Sequence, residues 1–222
     1  MAASIGVVGG TGNLGAALAK RWAKAGHKVA IGSRNIEKAA LKADEIAAST
    51  GNAVSSGSNQ TVAEQADIIV VTVPFAAQAN TLEDIKAAVQ GKIVVDTTVP
   101  LVPPKVMRVQ LPEAGSAANI AANLLGDDVT VVSAFHNVAA HKLETDADVH
   151  CDIMVFGDKK AARAQVVALA DDAGLRGLHA GPLANAVAAE ALTSIQIFIN
   201  KNYGIDGAGI AFTGEMTKSV DA

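Results

Sequence analysis

Ser33, Arg34 and Lys38 can each donate a hydrogen bond to an anion, and they follow a glycine pattern, Gly10-x-Gly12-x-x-Gly15. That pattern sits between an apolar run, Ile5-Gly6-Val7-Val8-Gly9, and apolar residues at helical spacing, Leu14, Ala17, Leu18, Trp22 and Ala25. A strand, a glycine turn and a helix in this order make a dinucleotide fingerprint out of what would otherwise be a weak motif. Gly10 is expected to permit the tight turn, Gly12 to admit a pyrophosphate close to the backbone, and Gly15 to let the helix pack on the strand. The free N–H groups of the helix start then face the anion, which places it over Thr11, Gly12, Asn13 and Leu14, beside the turn at Gly10.

The run Val29-Ala30-Ile31 reads as the second strand, and at its end NAD-binding folds hold an Asp or Glu for the ribose 2′-hydroxyl. Here that place holds Gly32-Ser33-Arg34, with Lys38 one helical turn further on. An acid would repel a 2′-phosphate, whereas a hydroxyl, a guanidinium and an ammonium can all donate to one. The expected ligand is NADP(H); the alternative is that Arg34 and Lys38 are only solvated surface charges.

The elements that must position these groups alternate along the chain. After a helix over residues 36–48 and a polar loop over 52–59, Thr61-x-x-Glu64 reads as a capping box, and Ile68-Ile69-Val70-Val71-Thr72-Val73 as a buried strand stopped by Pro74. A helix over 75–89, a strand over 92–96, a proline-rich loop over 97–112, a helix from Ser116 to Leu125 and a strand over 129–134 follow. Strand–helix alternation implies a doubly wound, mostly parallel, Rossmann-like α/β sheet. Beyond it come a strand over 151–156, a helix over 159–173 capped by Asp158, a strand over 175–178 and a long helix over 184–202. That last helix carries Val187, Ala188, Ala191, Leu192, Ile195, Ile197, Phe198 and Ile199, so it is expected to be apolar on most faces and buried in part by another subunit. The expected division is an NADP-binding Rossmann domain over 1–140 and a small C-terminal α/β extension over 141–222 that packs on it and forms a dimer interface.

Composition narrows the partners. The 222 residues are 50% hydrophobic but only 3% aromatic, so the core must be built from Ala, Val, Leu and Ile. A net charge of −4 with no block of Lys or Arg argues against nucleic-acid or anionic-membrane partners. With no leader-like N-terminus and no uninterrupted apolar span, the expected location is the cytoplasm. The single Cys151 is expected to be a buried structural thiol, and the histidines His141, His150 and His179 lack metal-ligand spacing, so no metal is expected.

Taken in order, the chain resembles the NADPH-dependent reductases of the deazaflavin coenzyme F420. The resemblance is carried by Val8-Gly9-Gly10-Thr11-Gly12-Asn13-Leu14-Gly15, Gly26-His27, Ile31-Gly32-Ser33-Arg34 with Glu37-Lys38-Ala39, Thr72-Val73-Pro74 and Lys92-Ile93-Val94-Val95. It continues through Val132-Ser133-Ala134-Phe135-His136, Gly157-Asp158, Gly174-Leu175-Arg176, Ala180-Gly181-Pro182-Leu183-Ala184-Asn185 and Glu190-x-Leu192-Thr193. The block from Ala180 to Asn185 is the most specific of these, since it owes nothing to generic dinucleotide binding.

The resemblance implies a small homodimeric enzyme that moves a hydride between reduced F420 and NADP+, in either direction. It places the pyrophosphate on Thr11 to Leu14 and the 2′-phosphate on Ser33, Arg34 and Lys38, and it lines the nicotinamide and deazaflavin rings with Val73, Phe75, Ala77, Val99, His136, Ala140 and Ala208. The loop Gly204-x-x-Gly207-Ala208-Gly209-Ile210 would approach the deazaflavin through its backbone. The insert Pro103-Pro104-Lys105-Val106-Met107-Arg108 stands where an anionic tail of F420 could pass, or is simply solvated. Hydride transfer between stacked rings requires no acid or base at the reacting carbons, so no catalytic proton donor is expected. His136 could bond a deazaflavin carbonyl or balance charge there, or merely cap a backbone carbonyl. Two other functions fit the nucleotide grip: a reductase of another flavin-like, quinone or imine acceptor, and a non-catalytic NADP(H) sensor.

Overall fold

The computed structural model describes residues 2–217. Strands β1 (Ser4–Val8), β2 (Lys28–Gly32), β3 (Val54–Gly57), β4 (Ile68–Val71), β5 (Ile93–Asp96) and β6 (Thr130–Ser133) form one sheet in the order β3-β2-β1-β4-β5-β6. Every pairing in it is parallel. Helices α1 (Asn13–Lys24), α2 (Ile36–Thr50), α3 (Asn59–Gln65), α4 (Phe75–Ile85) and α5 (Ala117–Leu125) make the crossovers. The order reverses between β1 and β4, which is where doubly wound folds open a ligand crevice.

The register makes that crevice continuous. Val8 pairs with Gly32 on one side and Val71 on the other, Val71 pairs with Asp96, and Asp96 with Ser133. Five strands therefore end level, and the residues just past each end form one row above the sheet. Alternate side chains of the strands enter opposite apolar layers: Val7, Val70, Val95 and Val132 join Leu18 and Trp22, while Val8, Val71, Val94 and Val131 join Leu82, Ile85 and Leu125. Burial on both faces is what makes these strands continuous apolar runs in the sequence.

After β6 come α6 (Ala140–Glu144), β7 (Asp152–Val155), α7 (Lys160–Asp172), β8 (Arg176–His179) and α8 (Ala186–Tyr203). β7 and β8 pair in parallel as a separate two-stranded sheet. An antiparallel bridge between Ser133 and Phe156 joins it to the main one, with N···O distances of 2.8 and 2.9 Å. Helix α1 carries this C-terminal part from below. Trp22 donates its indole N–H to the Leu169 carbonyl at 2.7 Å, and the Arg21 guanidinium donates to the carbonyls of Leu143, Thr145, Ala147 and Ala173.

Four local expectations change. Residues 54–57 are not loop but the edge strand β3; with one neighbour only, its Ser55 and Ser56 stay exposed, and that polarity hid it. Helix α3 starts two residues before the presumed capping Thr61, whose N–H instead donates to the true cap, Ser58 Oγ, at 3.0 Å. Asp158 does not cap α7; its carboxylate accepts the Leu183 N–H at 3.0 Å. On α8 the residues buried within the chain include Glu190, Ser194 and Gln196, while Ile195 and Phe198 are 44% and 52% exposed. The stretch Leu183–Tyr203 is long and apolar enough to cross a membrane by length and composition, yet its buried stripe is polar and bonded to this fold.

Candidate functional site

The row above the sheet begins with the glycine loop. Gly9, rather than Gly10, takes the left-handed conformation, at φ 73°, so the turn falls one residue earlier than the motif implies. Gly10 is needed for room instead, since a Cβ there would lie 2.8 Å from the Val7 carbonyl oxygen. At Gly15 a Cβ would collide with Thr72 Oγ1, which is the expected close packing of α1 on the sheet. At Gly12 an added Cβ would make ordinary van der Waals contact, 3.4 Å from the Gly9 carbonyl oxygen, so the chain itself does not demand a glycine there and the expected reason for it is the approach of a ligand. No side chain caps α1, which leaves the N–H groups of its first turn for an anion. These features fit a pyrophosphate.

At the end of β2, Ser33 is buried and its Oγ accepts the Asn35 N–H at 3.1 Å, leaving the hydroxyl proton to donate elsewhere. Arg34 and Lys38 are exposed, and among the described residues neither forms an ion pair. Asn35 caps α2 through its Oδ1, which accepts the Lys38 N–H at 2.9 Å, so the positive end of that helix points the same way as the two cations. A phosphate at this corner would meet a hydroxyl, a guanidinium, an ammonium and a helix N-terminus, with no opposing acid in Gly32-Ser33-Arg34.

The next strand ends bring the apolar candidates. Val73 follows β4 and packs over the glycine loop, its Cγ1 only 2.6 Å from where a Cβ on Gly9 would stand. Phe75 and Ala77 open α4 half-buried, and Val99 is half-buried in the loop after β5. After β6 the chain turns at Phe135, the only non-glycine residue at positive φ (65°) among those described. Its buried ring meets the edge of Trp22 at 5.9 Å between centroids, and this anchor holds the unfavourable backbone. His136 comes next and is buried. Its Nε2 shares a hydrogen bond of 2.8 Å with Ser133 Oγ, and among the described residues its ring bonds no backbone carbonyl. Burial pushes its pKa down to about 4. A neutral imidazole can give or take a hydrogen bond. The segments that carry Ala140 and Ala208 run side by side, because Gly207 lies so close to Ala139 and His141 that a Cβ there would stand 2.8 Å from both.

Buried polar groups that the motifs did not announce hold this row in place. Asn59 Oδ1 accepts the Gly9 N–H at 3.2 Å. Asp96 is fully buried and accepts from the Thr98 hydroxyl at 2.6 Å, the Thr98 N–H at 3.2 Å and Gln78 Nε2 at 2.6 Å. Burial pushes its carboxyl up to about 6 against those hydrogen bonds, and it shapes the start of the proline-rich loop. Glu190 accepts the N–H groups of Ala117 and Ala118 at 2.7 and 3.0 Å, capping α5 from α8. Burial raises it to about 7 despite these bonds, with Asp96 adding to the rise. Asn137, just past β6, donates to Ala189 O, Thr193 Oγ1 and Gln196 Oε1. The only signal for such residues is a polar type at a strand or helix terminus, which the sequence shares with many solvated positions.

Residues outside this row keep to themselves. Cys151 is buried and its thiol is pushed up by burial, as befits a structural role. Lys105 and Arg108 are exposed on the loop after β5, whose Arg108 carbonyl accepts from Ser194 Oγ at 3.2 Å. An apolar cavity of about 710 Å³ opens between β7, β8, the start of α8 and residues 212–216, lined by Met154, Phe156, Leu178 and Val187; it contains none of the candidate residues.

The fold is found again in a protein of Arthrobacter sp. FB24, at a TM-score of 0.78 and 24% identity over 95% of this chain and all of that one. It also recurs in the pyrroline carboxylate reductase of Plasmodium falciparum, solved with NADP bound, at 0.57 and 15% over 91% of this chain and 69% of that one. Residues 4–100 match the family model described as "NADP oxidoreductase coenzyme F420-dependent". The F420-dependent NADP reductase of Methanothermobacter thermautotrophicus is 39% identical over 96% of each chain. That of Methanocaldococcus jannaschii is 37% identical over 94% of this chain and 97% of its own. With relatives this close from end to end and the same glycine-loop sheet beneath them, the chain belongs to the family of F420-dependent NADP reductases.

Proposed function

We propose that this protein is an oxidoreductase that passes a hydride between NADP(H) and coenzyme F420 along the row of residues above the sheet. The observation that carries this assignment is the level ending of five strands. It sets an anion site with unspent cations beside half-buried apolar residues on one edge. The two rings supply the two-electron chemistry when bound. The chain supplies grip, alignment and exclusion of water.

Gly10, Thr11, Gly12, Asn13 and Leu14 hold the pyrophosphate, and Ser33, Arg34 and Lys38 hold the 2′-phosphate. Val73, Phe75, Ala77, Val99, His136, Ala140 and Ala208 wall the nicotinamide and deazaflavin. His136, neutral and fixed by Ser133, orients rather than titrates. Residues 1–140 form the NADP-binding part and residues 141–222 the part that covers the rings and pairs with a second copy. Exposed Ile195, Phe198 and Tyr203 on α8, with Ile205 just beyond it, support a homodimer. A net charge of −4 and nucleotide substrates suit a cytoplasmic enzyme that does not engage nucleic acid or membrane.

The test is direct: purified protein is mixed with NADPH and F420 and the deazaflavin absorbance followed. Loss of that absorbance in step with NADPH oxidation is the expected result. NADPH binding with no change in the deazaflavin in either direction would refute the assignment.

A further inference from the structure

Ala208 is held by both of its backbone polar groups. Its N–H donates to Asn200 Oδ1 at 3.0 Å and its carbonyl accepts from Gln196 Nε2 at 3.0 Å. The two amides stand one turn apart on α8. Gln196 is also committed in the other direction: Nε2 donates to the Asn137 carbonyl at 3.1 Å, and Oε1 accepts from Asn137 Nδ2 at 2.8 Å. One buried carboxamide thus ties residue 137, just past β6, to residue 208. Thr193 extends the same stripe by donating to the His136 carbonyl at 3.1 Å.

The geometry leaves the segment around Ala208 little slack. Gly207 lies against Ala139 and His141 without room for a Cβ, and at the far end Asp152 and Arg176 hold Phe212 as α8 holds Ala208. The Phe212 N–H donates to Asp152 Oδ2 at 2.6 Å and its carbonyl accepts from Arg176 at 2.8 Å. Among the described residues Gln196 is the side chain that bonds both Ala208 and the β6 corner; Cys151, whose Sγ donates to the Asn137 carbonyl at 3.5 Å and is bonded by the Ile210 backbone, adds a longer second link. An apolar side chain of the same size would fill the space but leave the half-buried Ala208 carbonyl without this donor and the Asn137 carbonyl with only the Cys151 thiol at 3.5 Å.

We propose that Gln196 is a positioning residue for the acceptor ring. It sets the distance between the His136–Asn137 corner and the Ala208 segment, and so the width of the slot that receives the deazaflavin, without touching the ring. This rests on the assignment of His136 and Ala208 to the F420 site.

Gln196→Met tests it, with binding measured by calorimetry for each ligand alone and backbone amide exchange followed over residues 207–212. The expected result is NADPH affinity within about twofold of wild type, F420 affinity weakened about tenfold as for one lost buried hydrogen bond, and faster exchange in the segment. In turnover, KM for F420 should rise more than kcat falls. Gln196→Glu adds a readout that simple loss of packing would not move. A carboxylate facing two carbonyls repels them, whereas the protonated acid can donate to one, so its F420 affinity relative to wild type should recover from pH 8 to pH 5.5.

Unchanged F420 affinity in a Gln196→Met protein that binds NADPH normally overturns the inference while the F420 assignment stands. If wild type binds no F420, the assignment falls and the inference with it. If Gln196→Met fails to bind NADPH, Asn200→Ala, at a half-exposed place in the last turns of α8, decides the matter. It should weaken F420 about threefold, and no change would overturn the proposal.

Discussion

The side-chain oxygen of Asn59 accepts the N–H of Gly9 at 3.2 Å, joining the first residue of α3 to the left-handed corner of the glycine loop. The bond crosses from β3's side of the sheet to β1 and holds the turn from which α1's free N–H groups project. Asn59→Ala should therefore loosen the loop rather than the fold. NADPH affinity is expected to fall about tenfold, with a stability loss of about 1 kcal/mol. Calorimetric titration and urea unfolding check the two numbers. Full NADPH affinity in the variant would show that the loop holds its shape without Asn59.

Arg34 and Lys38 are the cations left unspent at the end of β2. If they hold the 2′-phosphate, their loss must be felt by NADPH and not by NADH, which lacks that group. Arg34→Ala should weaken NADPH by about 10- to 100-fold and NADH by less than about twofold, and Arg34→Asp should widen the gap by adding repulsion. Raising the salt concentration should narrow the preference in wild type far more than in the variant. Equal losses for both nucleotides would remove the 2′-phosphate assignment.

The parts of this site that were legible in the sequence are those where one residue type is physically required. Gly15 could be read because only a glycine clears Thr72, and the cofactor preference because an acid is missing after β2. β4 was legible because burial on both faces leaves no alternative to a continuous apolar run. Asn59, Gln78, Asn137 and Gln196 were not legible in these roles: an amide at a helix end or in a loop looks the same whether it faces water or two buried carbonyls. The buried polar positions of helix α8 were hidden for a related reason. Its apolar residues outnumber its polar ones, yet it meets loop backbone, whose N–H and C=O groups call for Glu190, Thr193 and Gln196 in place of leucines.

Glu190 gives a pH signature. Its folded-state pKa is raised to about 7 from 4.5, so the folded protein binds this proton more tightly than the unfolded chain does. The resulting stability is fully present below pH 4.5 and is lost as the pH rises through 7. Glu190→Gln removes the titration while keeping the size. Relative to that variant, wild type should lose about 2–3 kcal/mol between pH 5 and pH 8 in urea unfolding. Parallel stability curves for the two proteins would show that Glu190 stays ionised in the fold, held by the N–H groups of Ala117 and Ala118.

Helix α8 presents two faces, and the proposed dimer can be tested on one of them without touching the other. Residues Thr193, Gln196 and Asn200 face the loops of the site, while Ile195 and Phe198, three residues apart, point outward. Leaving two such side chains in water is costly by about 25 cal/mol per Å² of apolar area, and a second copy of the helix would bury them. Ile195→Lys with Phe198→Lys should convert a dimer into a monomer, measured by light scattering on a sizing column. NADPH affinity should stay within about twofold, because α1 and β2 lie on other elements. A double variant that remains dimeric would move the interface off this face. A monomer that binds NADPH but has lost F420 affinity would instead show that pairing through the outer face is what holds the inner face, and with it the Ala208 segment, in register.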